Sequence, residues 1–348
     1  MFAVQCAVLK GTGGVFTSLF HYARMFEANG VRSVCLHRGP HAERLREAGL
    51  DVIEAPSTLT LPFFPLTPDF ARVRFEIRAR GGDPDFFLAH SDLTIPGLKR
   101  MFPNAIAMTR CHSDKTKNKK GADLVITLNP VQDVMVRREL PGQRIALLGN
   151  PFVPPANEPG PRDEAGPGGR IRFNFLGRVE QVKDPITLIR AFGEATLPAN
   201  TELRVIGVGS QLDEAKAAAA AIGRPVTFTG WLNQPFATFD RGDIVVFPSE
   251  WESYSWVIRE AMHYGVPILA SDIDVHRWAS ENGAFAALFP VGDVRSLALQ
   301  IESAVGNIDS LRAKAANGRE MLTRDYAAAG YWKRLSAEID AIQSARTA

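Results

Sequence analysis

Cysteine is scarce in this chain. Cys6, Cys35 and Cys111 are the only three in 348 residues, and none belongs to a Cys-x-x-Cys or Cys/His cluster. That pattern excludes a disulfide framework and a zinc–thiolate site, and it fits thiols kept reduced as small apolar residues. No apolar run approaches the roughly 18 residues that mark a membrane span. Residues 1–11, MFAVQCAVLKG, lack the basic start and small-residue cleavage site of a secretory leader and read instead as the first strand of a core. A cytoplasmic protein is expected, at most peripheral at the inner face of a membrane. Excess charge is lacking too: 40 Lys+Arg against 38 Asp+Glu leave +2, so the whole chain offers no electrostatic case for nucleic acid. Asp240-Arg241-Gly242-Asp243 precedes a strand-like run and reads as a helix-to-strand turn, so neither a metal nor an organic cofactor is expected.

What the chain does hold is an α/β pattern, stated twice. Hydrophobic residues make up 45% and charged residues 22%, an ordinary soluble composition, and the length favours two domains. Short apolar runs at 2–9, 33–36, 51–54, 85–89, 105–109, 122–128 and 144–148 alternate with helical periodicity. A Gly-rich turn, Gly11-Thr12-Gly13-Gly14, follows the first run and precedes a helix ending at Asn29-Gly30. It is Gly-x-Gly-Gly rather than Gly-x-Gly-x-x-Gly, and the second strand ends in His37-Arg38 where a dinucleotide ribose wants an acid. NAD is thereby excluded. The turn still suits close approach of backbone amides to a phosphate or sugar.

Residues 151–169, PFVPPANEPGPRDEAGPGG, form a linker without apolar period. Strand-like runs resume at 171–176, 202–206, 226–229, 243–247, 266–270 and 286–289, followed by two terminal helices. The expected domains are 1–150, a linker 151–169, 170–320, and a helix 321–348 returning to the first domain or serving a dimer. Two surface stretches stand out. Residues 59–80 combine Phe, Pro and Arg, and read as a loop before a core-packed helix or as a peripheral membrane contact. Lys115, Lys117, Lys119 and Lys120 read as a solvated charged turn or part of the same face. In open α/β sheets ligands gather at the carboxyl ends of strands, where His90 and His112 stand.

The most informative stretch is 251–272, WESYSWVIREAMHYGVPILASD, preceded by the buried strand 243–247 and Pro248-Ser249. Glu252 lies in the loop before a helix whose apolar positions are Val257, Ile258, Ala261 and Met262, stopped by Gly265 and Pro267. A carboxylate there is either an N-cap or a ligand-facing group, and the helix start suits a phosphate.

This stretch resembles the donor-binding signature of retaining glycosyltransferases of family 4. That signature has two Glu separated by seven intervening residues, here Glu252 and Glu260, an Ala-rich helix, and a Gly-x-Pro-Val turn matched by residues 265–267. Tyr254-Ser255 stands where the family has Phe-Gly. The loop Gly177-Arg178…Lys183-Asp184-Pro185 resembles the family's Gly-Arg…Lys element, with Asp-Pro in place of the commoner Gly. Gly230-Trp231-Leu232 resembles its base-binding turn, and Gly149-Asn150-Pro151 the Asn-containing turn that ends its first domain.

The resemblance implies the GT-B fold, an α/β architecture of two Rossmann-like domains facing each other across a cleft. It implies metal-independent transfer from a nucleotide-diphosphate sugar, UDP favoured over GDP, to a hydroxyl of a glycan or lipid-linked acceptor, as in cell-surface polysaccharide or glycolipid synthesis. Catalytic roles would fall to His112, Glu252, Arg178 and Lys183. Donor contacts would come from Gly14, Gly177, Arg178, Lys183, Leu232, Tyr254, Ser255, Trp256 and Glu260. A nucleotide-sugar epimerase and a catalytically silent scaffold of the same fold remain open.

Overall fold

The computed structural model describes residues 1–8, 13–61, 67–112, 116–154, 159–164 and 166–347. Two compact units emerge, Met1–Val153 with Arg324–Ala348, and Pro154–Thr323.

The first unit is a seven-stranded parallel sheet: β1 (Phe2–Val8), β2 (Arg32–Arg38), β3 (Val52–Glu54), β4 (Phe86–Ala89), β5 (Ile106–Arg110), β6 (Leu124–Thr127) and β7 (Ile145–Leu147). The strand order is β3-β2-β1-β4-β5-β6-β7. Parallel strands covered on both faces read as continuous apolar runs, which is why FAVQCAV and LVIT show no alternation. The helices between them are α1 (Gly14–Ala28), α2 (Ala42–Glu47), α3 (Pro68–Gly81), α4 (Ile95–Met101) and α5 (Pro130–Glu139). Val4 and Cys6 of β1 share one core with Val73 and Ile77 of α3 and with Leu98 and Val136. Ala3 shares the opposite core with Tyr22 and Phe26 of α1 and with the last helix of the chain, Ala328–Thr347. That helix is tied on by Tyr331, whose hydroxyl bonds Tyr22 Oη at 2.5 Å and donates to the Gly149 carbonyl at 3.1 Å.

Two surface readings change with the structure. Lys119 is no solvated charge: it is buried, with Nζ 2.7 Å from Asp92 Oδ2. On α3, Arg72 pairs with Asp69 and Glu76, Arg78 with Asp83 and Arg80 with Asp51, so much of the charge of that stretch is locally neutralised. Phe75 on the same helix is 72% exposed. Lys115, Gly11, Thr12 and residues 62–66 lie outside the described residues.

The second unit is a six-stranded parallel sheet: β8 (Ile171–Leu176), β9 (Thr201–Ile206), β10 (Val226–Gly230), β11 (Asp243–Phe247), β12 (Ile268–Ser271) and β13 (Ala287–Phe289), ordered β10-β9-β8-β11-β12-β13. Its helices are α6 (Pro185–Glu194), α7 (Leu212–Ala221), α8 (Trp256–Tyr264), α9 (Asp274–Ala279), α10 (Val294–Gly306) and α11 (Ile308–Met321). A π-turn at Leu322–Tyr326 then leads to the last helix, α12. Phe173, Val205 and Val246 pack with Leu188 and Phe192 of α6 and Ile301 of α10. At the amino ends of these strands lies a buried ionic knot. Asp243 receives Arg172 at 2.6 and 2.7 Å and Asn174 at 2.7 Å, while Arg204 lies 3.6 Å away and over the Phe239 ring. Asp240-Arg241-Gly242-Asp243 is therefore a turn whose acids hold strands together.

Candidate functional site

In a parallel sheet every strand delivers its following loop to one edge, and the crevice opens where the strand order reverses. In the second unit that point lies between β8, which connects onward to β9 and β10, and β11, which connects to β12 and β13. The loop after β8 carries Gly177, Arg178 and Lys183, and the loop after β11 carries Glu252. The β8 loop is built to lie flat. Val179 N–H donates to Val208 O at 2.9 Å, and Gln211 N–H to Val179 O at 2.9 Å. A side chain on Gly207 would lie 1.8 Å from the Gly177 carbonyl oxygen, and one on Gly209 would lie 2.2 Å from the Val179 carbonyl oxygen, so glycine is required at both. Glu250 N–H to Val182 O at 3.0 Å ties the two loops across the switch point.

That tie brings Lys183 Nζ to 2.5 Å from Glu252 Oε1, with side chains 20% and 13% exposed. Ser249 Oγ donates to the same oxygen at 3.1 Å, so Oε1 of Glu252 is anchored twice, while Oε2 has no hydrogen-bond partner among the described residues. Behind them Ser271 Oγ donates to Ser249 O at 2.5 Å, and His276 Nδ1 lies 2.9 Å from Ser271 O. A carbonyl only accepts, so Nδ1 carries the proton and Nε2 is bare; Nε2 is buried with no hydrogen-bond partner among the described residues. Burial pushes the His276 pKa down to about 4, against the pull of Glu252.

Arg178 is placed differently. Its side chain is 60% exposed and pairs with Glu180. Asp184, where the family has Gly, is left-handed (φ 48°) and caps α6 by accepting from Thr187 N–H at 3.2 Å. Ser255, the second position where the family has Gly, is also left-handed (φ 57°) and starts α8 without a side-chain cap. Tyr254 is 2% exposed, its ring spent on packing, so any ligand contact from it would be made by backbone. Trp256 and Glu260 are half-buried on α8, and Leu232 is half-buried beside Trp231, which is 64% exposed.

In the first unit the reversal falls between β1 and β4. Gly14 opens α1 after β1 and is exposed. His90 follows β4 and His112 follows β5, their rings stacked at 5.7 Å and 24°. Arg110, 1% exposed, donates to Ser18 Oγ at 2.7 Å, to His90 Nδ1 at 2.8 Å and to Asn150 Oδ1, and lies over the Tyr22 ring. Since arginine can only donate, His90 accepts at Nδ1 and carries its proton on Nε2, 3.2 Å from Gln5 Oε1. Burial, then Arg110, then His90 and Lys119 hold His112 well below the usual histidine range. It is a neutral imidazole whose Nε2 has no partner among the described residues.

Sequence reasoning passed over Ser249, Ser271, His276, Arg110 and Arg259. The available signal was charge or polarity inside apolar periodicity, as where Arg259 interrupts the buried side of α8. It also passed over Asp272-Ile273-Asp274, an Asp-x-Asp that does follow a strand, β12. Both carboxylates face Arg277, at 2.5 Å and 4.0 Å, and no group of three or more His, Cys, Asp or Glu is placed to hold a metal among the described residues.

Two parallel Rossmann-like units define the GT-B fold: the chain aligns with Anabaena HepE in complex with UDP-glucose at a TM-score of 0.77, 16% identity, over 98% of this chain and 100% of that one. Residues 170–307, all within the second unit, match the family model "Glycosyl transferases group 1". It is similar to a GDP-mannose-dependent alpha-mannosyltransferase of Mycolicibacterium smegmatis, 32% identical over 133 residues, 38% of this chain and 33% of that protein. It is also similar to a lipopolysaccharide 1,6-galactosyltransferase of Salmonella typhimurium, 26% identical over 157 residues, 41% and 40% of the two. The chain thus spans about a third to two fifths of the length of these curated relatives. Among the described residues no helix is long and apolar enough to cross a membrane.

Proposed function

We propose that the protein transfers a hexosyl group from a nucleotide-diphosphate sugar to a hydroxyl of a glycan or lipid-linked acceptor, with retention of anomeric configuration and without a metal. The observation that carries this is the Lys183–Glu252 pair at the β8/β11 reversal, a cation beside a carboxylate whose second oxygen has no hydrogen-bond partner among the described residues. Departure of a nucleoside diphosphate needs fixed positive charge, and a developing oxocarbenium needs a carboxylate nearby. In this reading Lys183 and the amides opening α8 receive the diphosphate. Arg178 swings from Glu180 to join them, a change its exposure permits. Glu252 Oε2 accepts from the sugar hydroxyls, and Glu260 accepts from the ribose.

A UDP-sugar is the favoured donor, with a GDP-sugar next; relatives' names speak for each. The acceptor class is drawn from the glycolipid setting of the Salmonella relative. Screening UDP- and GDP-sugars by thermal shift, then assigning the anomeric configuration of the product by proton NMR, tests the proposal. Inversion, or no stabilisation by any nucleotide sugar, refutes it.

A further inference from the structure

We propose that Arg259 is a positioning residue for a nucleoside diphosphate: it locks the backbone of Tyr254 and Ser255 so that the amides opening α8 face the phosphates. The inference rests on the donor reading above and adds to it a residue that lies within the Glu…Glu stretch but is neither of its carboxylates.

Ser255 occupies left-handed backbone, φ 57° and ψ 72°, a conformation disfavoured for any residue with a Cβ. Its side chain makes no capping bond, so something else must hold the turn. Arg259, one turn into α8, reaches back towards the helix start as helical side chains do. Its Nη1 donates to Tyr254 O at 2.6 Å and to Ser255 O at 3.4 Å. The guanidinium lies 3.7 Å from the Tyr254 ring centroid and 4.9 Å from that of Trp278. The Tyr254 ring meets Trp256 edge-on at 5.0 Å. A long cation is thereby fixed by two carbonyls and two aromatic faces, at 1% exposure.

Its place is electrostatically odd for a purely structural residue. The start of a helix is already the positive end of its dipole, and a cation there is disfavoured by the helix itself. The same placement favours an anion at the helix start, towards which the amides of the first turn point. Clamp and field therefore serve one ligand chemistry, a diphosphate.

The test compares affinities of UDP and GDP with those of uridine and guanosine, by calorimetry and NMR titration, in wild type, Arg259→Met, Arg259→Lys, Ser255→Gly and the double variant Ser255→Gly/Arg259→Met. Arg259→Met is expected to weaken the diphosphate about tenfold, the scale of one lost positioning hydrogen bond, with nucleoside affinity unchanged. Arg259→Lys, which keeps the charge but not the planar fork, behaves like Arg259→Met. Ser255→Gly, which makes the left-handed turn free of strain, recovers most of the loss in the double variant. Equal weakening of nucleoside and diphosphate, wild-type behaviour of Arg259→Lys, or no recovery in the double variant would each overturn the positioning role. Should wild type bind neither diphosphate, the donor reading itself fails, and that is seen before any variant is made.

Discussion

Lys183→Ala removes the ammonium 2.5 Å from Glu252 Oε1 and strands a carboxylate that is only 13% exposed. Breaking a fully buried pair by deleting one partner costs about 3–5 kcal/mol, and an exposed pair is worth about 0–1 kcal/mol. This pair lies nearer the buried limit, but Ser249 Oγ still bonds the carboxylate at 3.1 Å. A loss of about 2 kcal/mol in unfolding free energy is therefore expected, read from urea midpoints. Adding Glu252→Gln removes the stranded charge and should return about half of that loss. Turnover behaves differently. Loss of a preorganised cation on the leaving diphosphate removes about 2–4 kcal/mol of transition-state stabilisation, roughly 30- to 1,000-fold in kcat/KM. The second substitution returns none of it. A single variant with wild-type stability and wild-type turnover would refute the coupling of this pair to both fold and chemistry.

Asp243→Ala should cost about 3–5 kcal/mol, because it leaves Arg172 and Arg204 buried without their shared carboxylate; urea unfolding checks this, with nucleotide affinity per folded molecule unchanged. His276 has a folded pKa of about 4 against 6.5 as its ordinary value. Between those values the unfolded chain binds a proton that the folded chain refuses, so stability is full above pH 6.5 and falls by about 3 kcal/mol as pH drops towards 4. Thermal unfolding across that window should show a flatter profile in His276→Asn. Ser255→Gly should raise unfolding free energy by about 1 kcal/mol by relieving the left-handed strain. Turnover in EDTA should match turnover without it; loss restored by Mn²⁺ would contradict the metal-free reading.

The fold was legible where burial is a property of the strand itself. Residues 171–176 and 243–247 read as apolar runs and form β8 and β11 with those same limits, because strands covered on both faces need no partner information. The helix stop at Gly265 was equally local, since left-handed backbone (φ 66°) is glycine's natural place. Buried charge was not legible. Lys119 looked like one of a surface run, yet its ammonium is enclosed against Asp92, 27 residues earlier. Arg172, Arg204 and Asp243 come from three strands, and nothing within one strand tells that they meet. Arg259 and Tyr254 are close in sequence, but the second ring beside the guanidinium, Trp278, comes from α9. His276 belongs to the Glu252 network only through Ser271 and Ser249, a chain of bonds that no spacing rule encodes. Polar networks are assembled by topology, and topology was known from the pattern only as a class.

The most direct test of the donor reading is calorimetric titration of UDP and GDP into wild type and Lys183→Ala. One of the two nucleotides should bind wild type, and its affinity should fall at least tenfold in the variant, on the scale of one charge-assisted hydrogen bond. Failure of wild type to bind either nucleotide, or equal affinity in the variant, would contradict the assignment of the β8/β11 crevice as the seat of the activated sugar.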